Sequence, residues 1–295
     1  MKIKVVVALI ACSSMLFSCQ SKEEDSTDSL VPNIEQEVVV EVEEPNHDTQ
    51  QLDELLAELK MKKELDVSDY ENRTPMEWGE NVQGVKTQLD TDEQVIALTF
   101  DACGGPYGSL YDEELIDFLR KESIPATLFV NQRWIEENEV TFSELVEEPL
   151  FEIQNHGSEH VPLSVSGQSA WGIEGTQSAE QIVHEVIENQ MTITSFTNEE
   201  PLFFRSGTAF YDEIAVEIVK ELGLEVVNFN ILGDAGATYS AEQVHDALLS
   251  SVSGSIVLLH MNQPNSGTAE GVERAVMDLK DQGFSFVTLS QYTLK

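Results

Sequence analysis

Basic residues are scarce in this chain of 295 residues: 16 Lys+Arg stand against 54 Asp+Glu, for a formal net charge of −38. So acidic a surface repels phosphate backbones and anionic headgroups, which counts against nucleic acid or bare anionic lipid as a partner. It suits a neutral or cationic substrate, and it would keep the protein soluble in high salt. Cysteine is scarce too, with three in all. Loss of an export leader and blocking of Cys19 would leave Cys103 alone, so a disulfide framework within one chain is excluded. No glycine-rich phosphate loop follows any apolar run, and no internal repeat is present. Nucleotide binding and solenoid architectures therefore gain no support.

What is present begins with the leader. "MKIKVVVALIACSSMLFSC" carries two lysines, an apolar run and then small residues, the pattern of an export signal too short for a stable membrane span. Its end, "LFSC", resembles the lipobox of bacterial lipoproteins, with Cys19 as the lipidated residue. The expectation is a signal peptide over 1–18 and a protein exported to the bacterial cell envelope. Its one membrane contact would be a lipid on Cys19; if the lipobox is not used, it is secreted. Residues 19–69 read as an acidic linker, with 16 acids against 4 bases over 20–69. Within it "LDELLAELKMKKELD" has leucines at helical spacing and predicts a short helix. A single folded domain is expected over 70–295.

After Tyr70 the pattern alternates. Apolar runs such as "VIALTF", "ATLFV", "FEIQN", "PLFFR", "LEVVNFNI", "SIVLLH" and "FSFVTLS" are separated mostly by helix-periodic segments, several opening on Ser or Asp caps. That alternation demands parallel strands with helices outside. Seven near-continuous apolar runs predict a distorted (β/α) barrel of about seven parallel strands; an open doubly wound sheet is the alternative.

In such a barrel reactive residues project from the C-terminal strand ends. There the sequence places Asp101, His156, Arg205 and His260, with Asp234 just beyond the fifth run. A lone acid or histidine after a strand is ordinarily a cap or turn residue, but five at corresponding ends read as one site. In "NHGSEHVPL" His156 and His160 are spaced so that one helical turn would put both imidazoles on one face, able to share a metal ion. His47, His184 and His245 are assigned no role.

The segments "TFDAC", "HGSEH", "FFRSGTAF", "NFNILGD" and "IVLLHM" together resemble the five motifs of the polysaccharide deacetylases with the NodB homology domain, carbohydrate esterase family 4. The resemblance runs from about Val95 to the C-terminus. It implies a divalent metal ion, zinc in most of the family, bound by His156 and His160. It further implies Asp101 as general base, Arg205 as its partner, Asp234 as the acid that steadies that arginine, and His260 as general acid. The implied substrate is an N-acetylated polysaccharide, peptidoglycan or chitin-like; the sequence does not fix the oligomeric state, and a monomer is favoured. Alternatives are an O-acetyl polysaccharide esterase and a catalytically degenerate glycan-binding envelope protein. A glycosidase would need a facing pair of carboxylates, and the first motif offers one. The family has a second aspartate where this chain has Ala102. The third metal bond is then left to water, to Asp101 or to Cys103, whose simplest role is that of a small buried residue.

Overall fold

The computed structural model describes residues 47–295. The expected leader, Cys19 and the first part of the linker lie outside the described residues. The strands are β1 (Trp78–Gly79), β2 (Val95–Ala102), β3 (Ala126–Val130), β4 (Phe151–Asn155), β5 (Phe203–Phe204), β6 (Tyr211–Asp212), β7 (Glu225–Val226), β8 (Ile231–Leu232), β9 (Ser255–His260) and β10 (Ser285–Val287). The helices are α1 (His47–Lys63), α2 (Glu113–Glu122), α3 (Gln132–Glu137), α4 (Glu139–Val146), α5 (Ala179–Thr197), α6 (Glu213–Glu221), α7 (Ala241–Leu249) and α8 (Thr268–Asp281).

Seven strands hydrogen-bond in the order β7-β5-β4-β3-β2-β9-β8, every pair parallel, and β10 adds to β2. This is the expected parallel (β/α) architecture, a curled and incompletely closed barrel. Strand β2 is central and buried along its whole length. Its alternate residues Ile96, Leu98, Phe100 and Ala102 pack outward among residues of α2, α3, α7 and α8. Val95 and Ala97 face the barrel interior with Phe129, Val227 and Ile256. The two-residue period of a strand therefore gives Thr99 and Asp101 to the interior and Ala102 to the outer core.

One expected strand breaks. "LEVVNFNI" yields β7 and β8, which pair with β5 and β9 at opposite edges of the sheet. The break has a local cause. The carbonyls of Val227 and Asn228 accept from Arg205, and the Asn228 amide donates to the carbonyls of Glu80 and Ala209. Those groups serve the barrel interior instead of a ladder, so one chain segment spans both edges.

The helix expected in the linker forms as α1. Leu59 is fully buried among residues of α5 and α6, and His47–Lys295 is a single compact unit. Helix starts follow the predicted caps: Asp112, Ser178 and Asp212 accept from the third residue on, and Ser240 forms a capping box with Gln243. Helices α3 and α4 lie outside the expected helical segments, each too short to show a helical period in sequence.

Candidate active site

The C-terminal ends of β2, β4, β5 and β9 open onto one cavity of about 630 Å³, lined among others by Asp101, Cys103, Arg133, His160 and His260. Each sequence-predicted site residue lies at or beside this opening.

Asp101 is the penultimate residue of β2 and is buried, with 4% of its surface exposed. Its Oδ1 accepts from Arg205 Nη1 at 2.8 Å, and its Oδ2 faces His156 Nε2 at 3.6 Å. Arg205 is fully buried, with four of its five N–H groups hydrogen-bonded. It also donates to Thr99 Oγ1 and to the carbonyls of Val227 and Asn228, and its guanidinium lies 4.2 Å over the Phe129 ring. A buried arginine needs such a set, because an uncompensated charge there costs several kcal/mol. Asp101 Oδ2 is left as the free acceptor.

Asp234 differs from its expected role. It does not hold Arg205; it holds His260. Its Oδ1 lies 2.8 Å from His260 Nδ1, and its Oδ2 accepts from the His260 backbone N–H at 2.8 Å and from Thr268 Oγ1 at 3.0 Å. The reason is register: β8 pairs with β9, so the residue just past β8 reaches the end of β9. Burial opposes charge on His260, but the Asp234 carboxylate and the Cys103 sulfur outweigh it, and its pKa is held well above the usual histidine value. The carboxylate on Nδ1 leaves Nε2 to face the cavity.

The two histidines of "HGSEH" do not sit on a helical turn. The chain loops instead, with Gly157 and His160 at positive φ (76° and 60°). The rings nevertheless meet edge to face, 5.0 Å between centroids. His156 Nδ1 lies 2.9 Å from the Arg205 carbonyl. Donation to that carbonyl leaves Nε2 as the lone-pair nitrogen, as metal-binding histidines are ordinarily oriented. Gly207 must be glycine because a Cβ there would stand 2.4 Å from the His160 backbone.

Beside these rings lies Cys103. Its Sγ is 3.9 Å from His156 Nε2, and the donor atoms of Cys103, His156 and His160 all lie within 4.8 Å of one another. A thiolate sulfur and an imidazole nitrogen on one tetrahedral zinc ion lie about 3.6 Å apart, so the three donors need to draw in by at most roughly 1 Å to share one ion. His160 Nε2 is buried with no hydrogen-bond partner, the mark of a polar atom that lacks its counterpart. Burial alone would raise the Cys103 pKa, but His160, His156 and His260 around it favour the thiolate and hold it well below the usual thiol value. His156 is pushed upward in turn: burial opposes its charge, while Asp101 and Cys103 favour it. A pocket of two anionic groups that draws protons onto imidazoles is equally suited to a divalent cation. The residues fit a metal. Ala102, by contrast, faces the outer core, fully buried.

Three supporting residues are absent from the sequence-predicted set. Asn131, at the end of β3, donates to the carbonyls of His156 and Gly157 at 3.0 and 2.7 Å. Thr99 shares the inward face with Asp101. Glu185 of α5, 3% exposed, accepts from Ser158 Oγ and the backbone N–H groups of Glu159 and His160. Having no cation beside it, Glu185 is driven by burial up to about 7. A strand-end position for Asn131 and an acid on an apolar helix face for Glu185 were the available signals. Trp171 is 75% exposed on the cavity rim and packs edge-on to Phe210. His184 and His245 lie near surface carboxylates, away from the cavity.

Comparison with known proteins bears on the family and the fold. The family model described as polysaccharide deacetylase matches residues 88–227. The chain is 26% identical over 211 residues to the peptidoglycan-N-acetylglucosamine deacetylase of Bacillus cereus, covering 70% of this chain and 92% of that one. Its fold resembles PdaA of Bacillus subtilis, a family 4 carbohydrate esterase, with a TM-score of 0.59 and 20% identity over 75% of this chain and 97% of that chain. It also resembles a family 4 pseudoenzyme from Bacillus anthracis, with a TM-score of 0.57 and 20% identity over 68% and 66% of the two chains.

Proposed function

The chain belongs to the polysaccharide deacetylase family, and from that premise we propose that it removes N-acetyl groups from an extracellular or cell-wall polysaccharide, peptidoglycan or chitin-like. The observation that carries the reading is the convergence on one cavity of three prepared elements: Asp101 fixed by Arg205, His260 fixed by Asp234, and the Cys103, His156 and His160 donors.

Each element answers a difficulty of amide hydrolysis. A divalent cation, zinc being the expectation, would be held by His156 and His160 with Cys103 as third ligand; when bound it polarises a carbonyl and makes water more acidic. Asp101 Oδ2, the unbonded oxygen of the pair, accepts the proton of the attacking water. An amine cannot leave as an anion, so His260 Nε2 delivers a proton to it, steadied by Asp234 on Nδ1. In the loop after Asp101 the Gly104 N–H is committed to the Gly108 carbonyl, so a backbone donor for the developing oxyanion would come from Cys103 or Gly105. The products are acetate and a free amino sugar. Rim residues Trp171 and Tyr107, 75% and 90% exposed, present ring faces beside the opening for the flanking sugars. Export and a lipid on Cys19 would set the enzyme against its polymer. No helix among the described residues is long and apolar enough to cross a membrane.

A second reading has one observation in its favour: the usual second aspartate is Ala102, and a structural relative is described as a pseudoenzyme. Two assays decide between them on the purified full chain. Acetate release is measured on peptidoglycan, chitin oligomers and acetyl-xylan, together with bound metal. Release from an N-acetylated glycan, abolished by His260→Ala, supports the deacetylase. Glycan binding with no acetate from any substrate refutes it, and release from acetyl-xylan alone makes the protein an O-acetyl esterase.

A further inference from the structure

Arg133 is out of place in so acidic a protein. The described arginines Arg73, Arg120, Arg205 and Arg274 each lie within 4.0 Å of a carboxylate oxygen. Among the described residues Arg133 is the one arginine without such a neighbour, although acids outnumber bases 54 to 16. It lines the same cavity as Asp101, Cys103 and His260. Of the acids lining that cavity, Asp101 is committed to Arg205, and Glu80 is pushed upward by its own burial.

The guanidinium is also held in place. Arg133 follows the N-cap Asn131 of α3, whose Oδ1 accepts from the Arg133 backbone N–H at 3.1 Å and lies 3.4 Å from Nε. That same Asn131 grips the carbonyls of His156 and Gly157. The opposite side is a floor of glycine. A Cβ on Gly105 would come within 3.4 Å of Arg133 Cζ and Nη1, and one on Gly104 within 2.9 Å of Arg133 Cβ. The side chain thus lies across a bare backbone turn directly after Asp101 and Cys103, with its Nη atoms given no protein acceptor among the described residues. A planar fork of donors held this way is matched by a carboxylate.

We propose that Arg133 is a subsite for a carboxylate carried by the glycan, so that the substrate is an acidic N-acetylated polysaccharide and not a neutral one. The carboxylate could belong to a lactyl ether on the sugar or to a uronic acid; both present the same planar anion. This rests on the deacetylase reading and narrows it. The long-range field of the chain disfavours anions, but physiological salt screens it within roughly 8 Å. Inside the cleft the local guanidinium decides.

The test uses the full-length metal-loaded protein and two matched pairs of N-acetylated oligosaccharides. One pair carries a free lactyl carboxyl or its methyl ester, the other a uronic acid or its methyl ester; a chitin oligomer serves as the neutral reference. Wild type should show kcat/KM for one of the free acids roughly 10- to 100-fold above that for its ester, the size of one charge-assisted contact. In Arg133→Gln that ratio should fall to near one, chiefly through KM, and Arg133→Lys should restore part of it. Whichever acid shows the ratio identifies the source of the carboxylate. Equal rates on acid and ester in the wild type, or an unchanged ratio in Arg133→Gln, would overturn the proposal. Calorimetric binding of the same pairs to wild type and Arg133→Gln reads the subsite independently of turnover. Absence of acetate with an acid-over-ester binding preference that needs Arg133 would sink the deacetylase reading and leave the subsite standing.

Discussion

Three buried acids surround the cavity, and their neighbours set them to different tasks. Asp101 is bonded to Arg205, a cation that never titrates. Asp234 is bonded to His260, a cation that can give its proton away. Glu185 has only neutral donors, and burial drives it up to about 7. The partner, more than the carboxyl group, decides the role: a fixed acceptor on β2, a support for a proton donor on β9, and a clasp on the histidine loop.

Breaking the first pair should have the largest effect. Asp101→Asn removes the acceptor oxygen opposite His156 and is expected to lower kcat about 10²- to 10⁴-fold, read as acetate release, with glycan binding retained. A buried acid with no partner at all can be made by Ala102→Asp. Position 102 faces the outer core, so the change should cost several kcal/mol in urea unfolding and add no metal affinity. A gain in metal binding would mean that residue 102 turns toward the histidines.

The acid that lacks a cation makes a pH prediction. Glu185 is raised from 4.5 to about 7 on folding, so the folded state holds its proton more tightly than the unfolded one. The resulting stabilisation is fully present below pH 4.5 and is lost as pH rises through 7, amounting to about 3 kcal/mol at most. Glu185→Gln should flatten that part of the stability–pH curve; an unaltered slope would assign the titration elsewhere. The smallest effect belongs to the second pair. Because His260 is held above its usual value chiefly by Asp234 against the cost of burial, Asp234→Asn should shift the alkaline limb of kcat/KM to lower pH. A loss of roughly tenfold near neutrality should accompany it, measured as a pH–rate profile.

The acids also differ in how legible they are in the sequence. Strand–helix alternation marks where each C-terminal strand end lies, so residue order alone groups Asp101 with His156, Arg205 and His260. Asp234's partner is not legible that way. It depends on the break at Val227–Asn230 that sends β8 to β9, and the break depends on carbonyls claimed by Arg205. The histidine spacing suggests a helical turn, yet the positive φ at Gly157 and His160 makes a loop that brings the rings together by another path. Cys103 is the sharpest case. Strand alternation past Asp101 turns Ala102 outward and leaves the next residue to face the imidazoles, an outcome that follows from β2 running through residue 102.

One cation held by Cys103, His156 and His160 beside Asp101 is the centre of the proposed chemistry. Cobalt titration of the metal-stripped full chain tests this most directly, through stoichiometry and the near-ultraviolet absorption of a sulfur–cobalt bond. One cobalt per chain with that absorption, lost in Cys103→Ser while the fold persists, is the predicted result. Failure to bind cobalt, or binding whose spectrum is the same in Cys103→Ser, would contradict it.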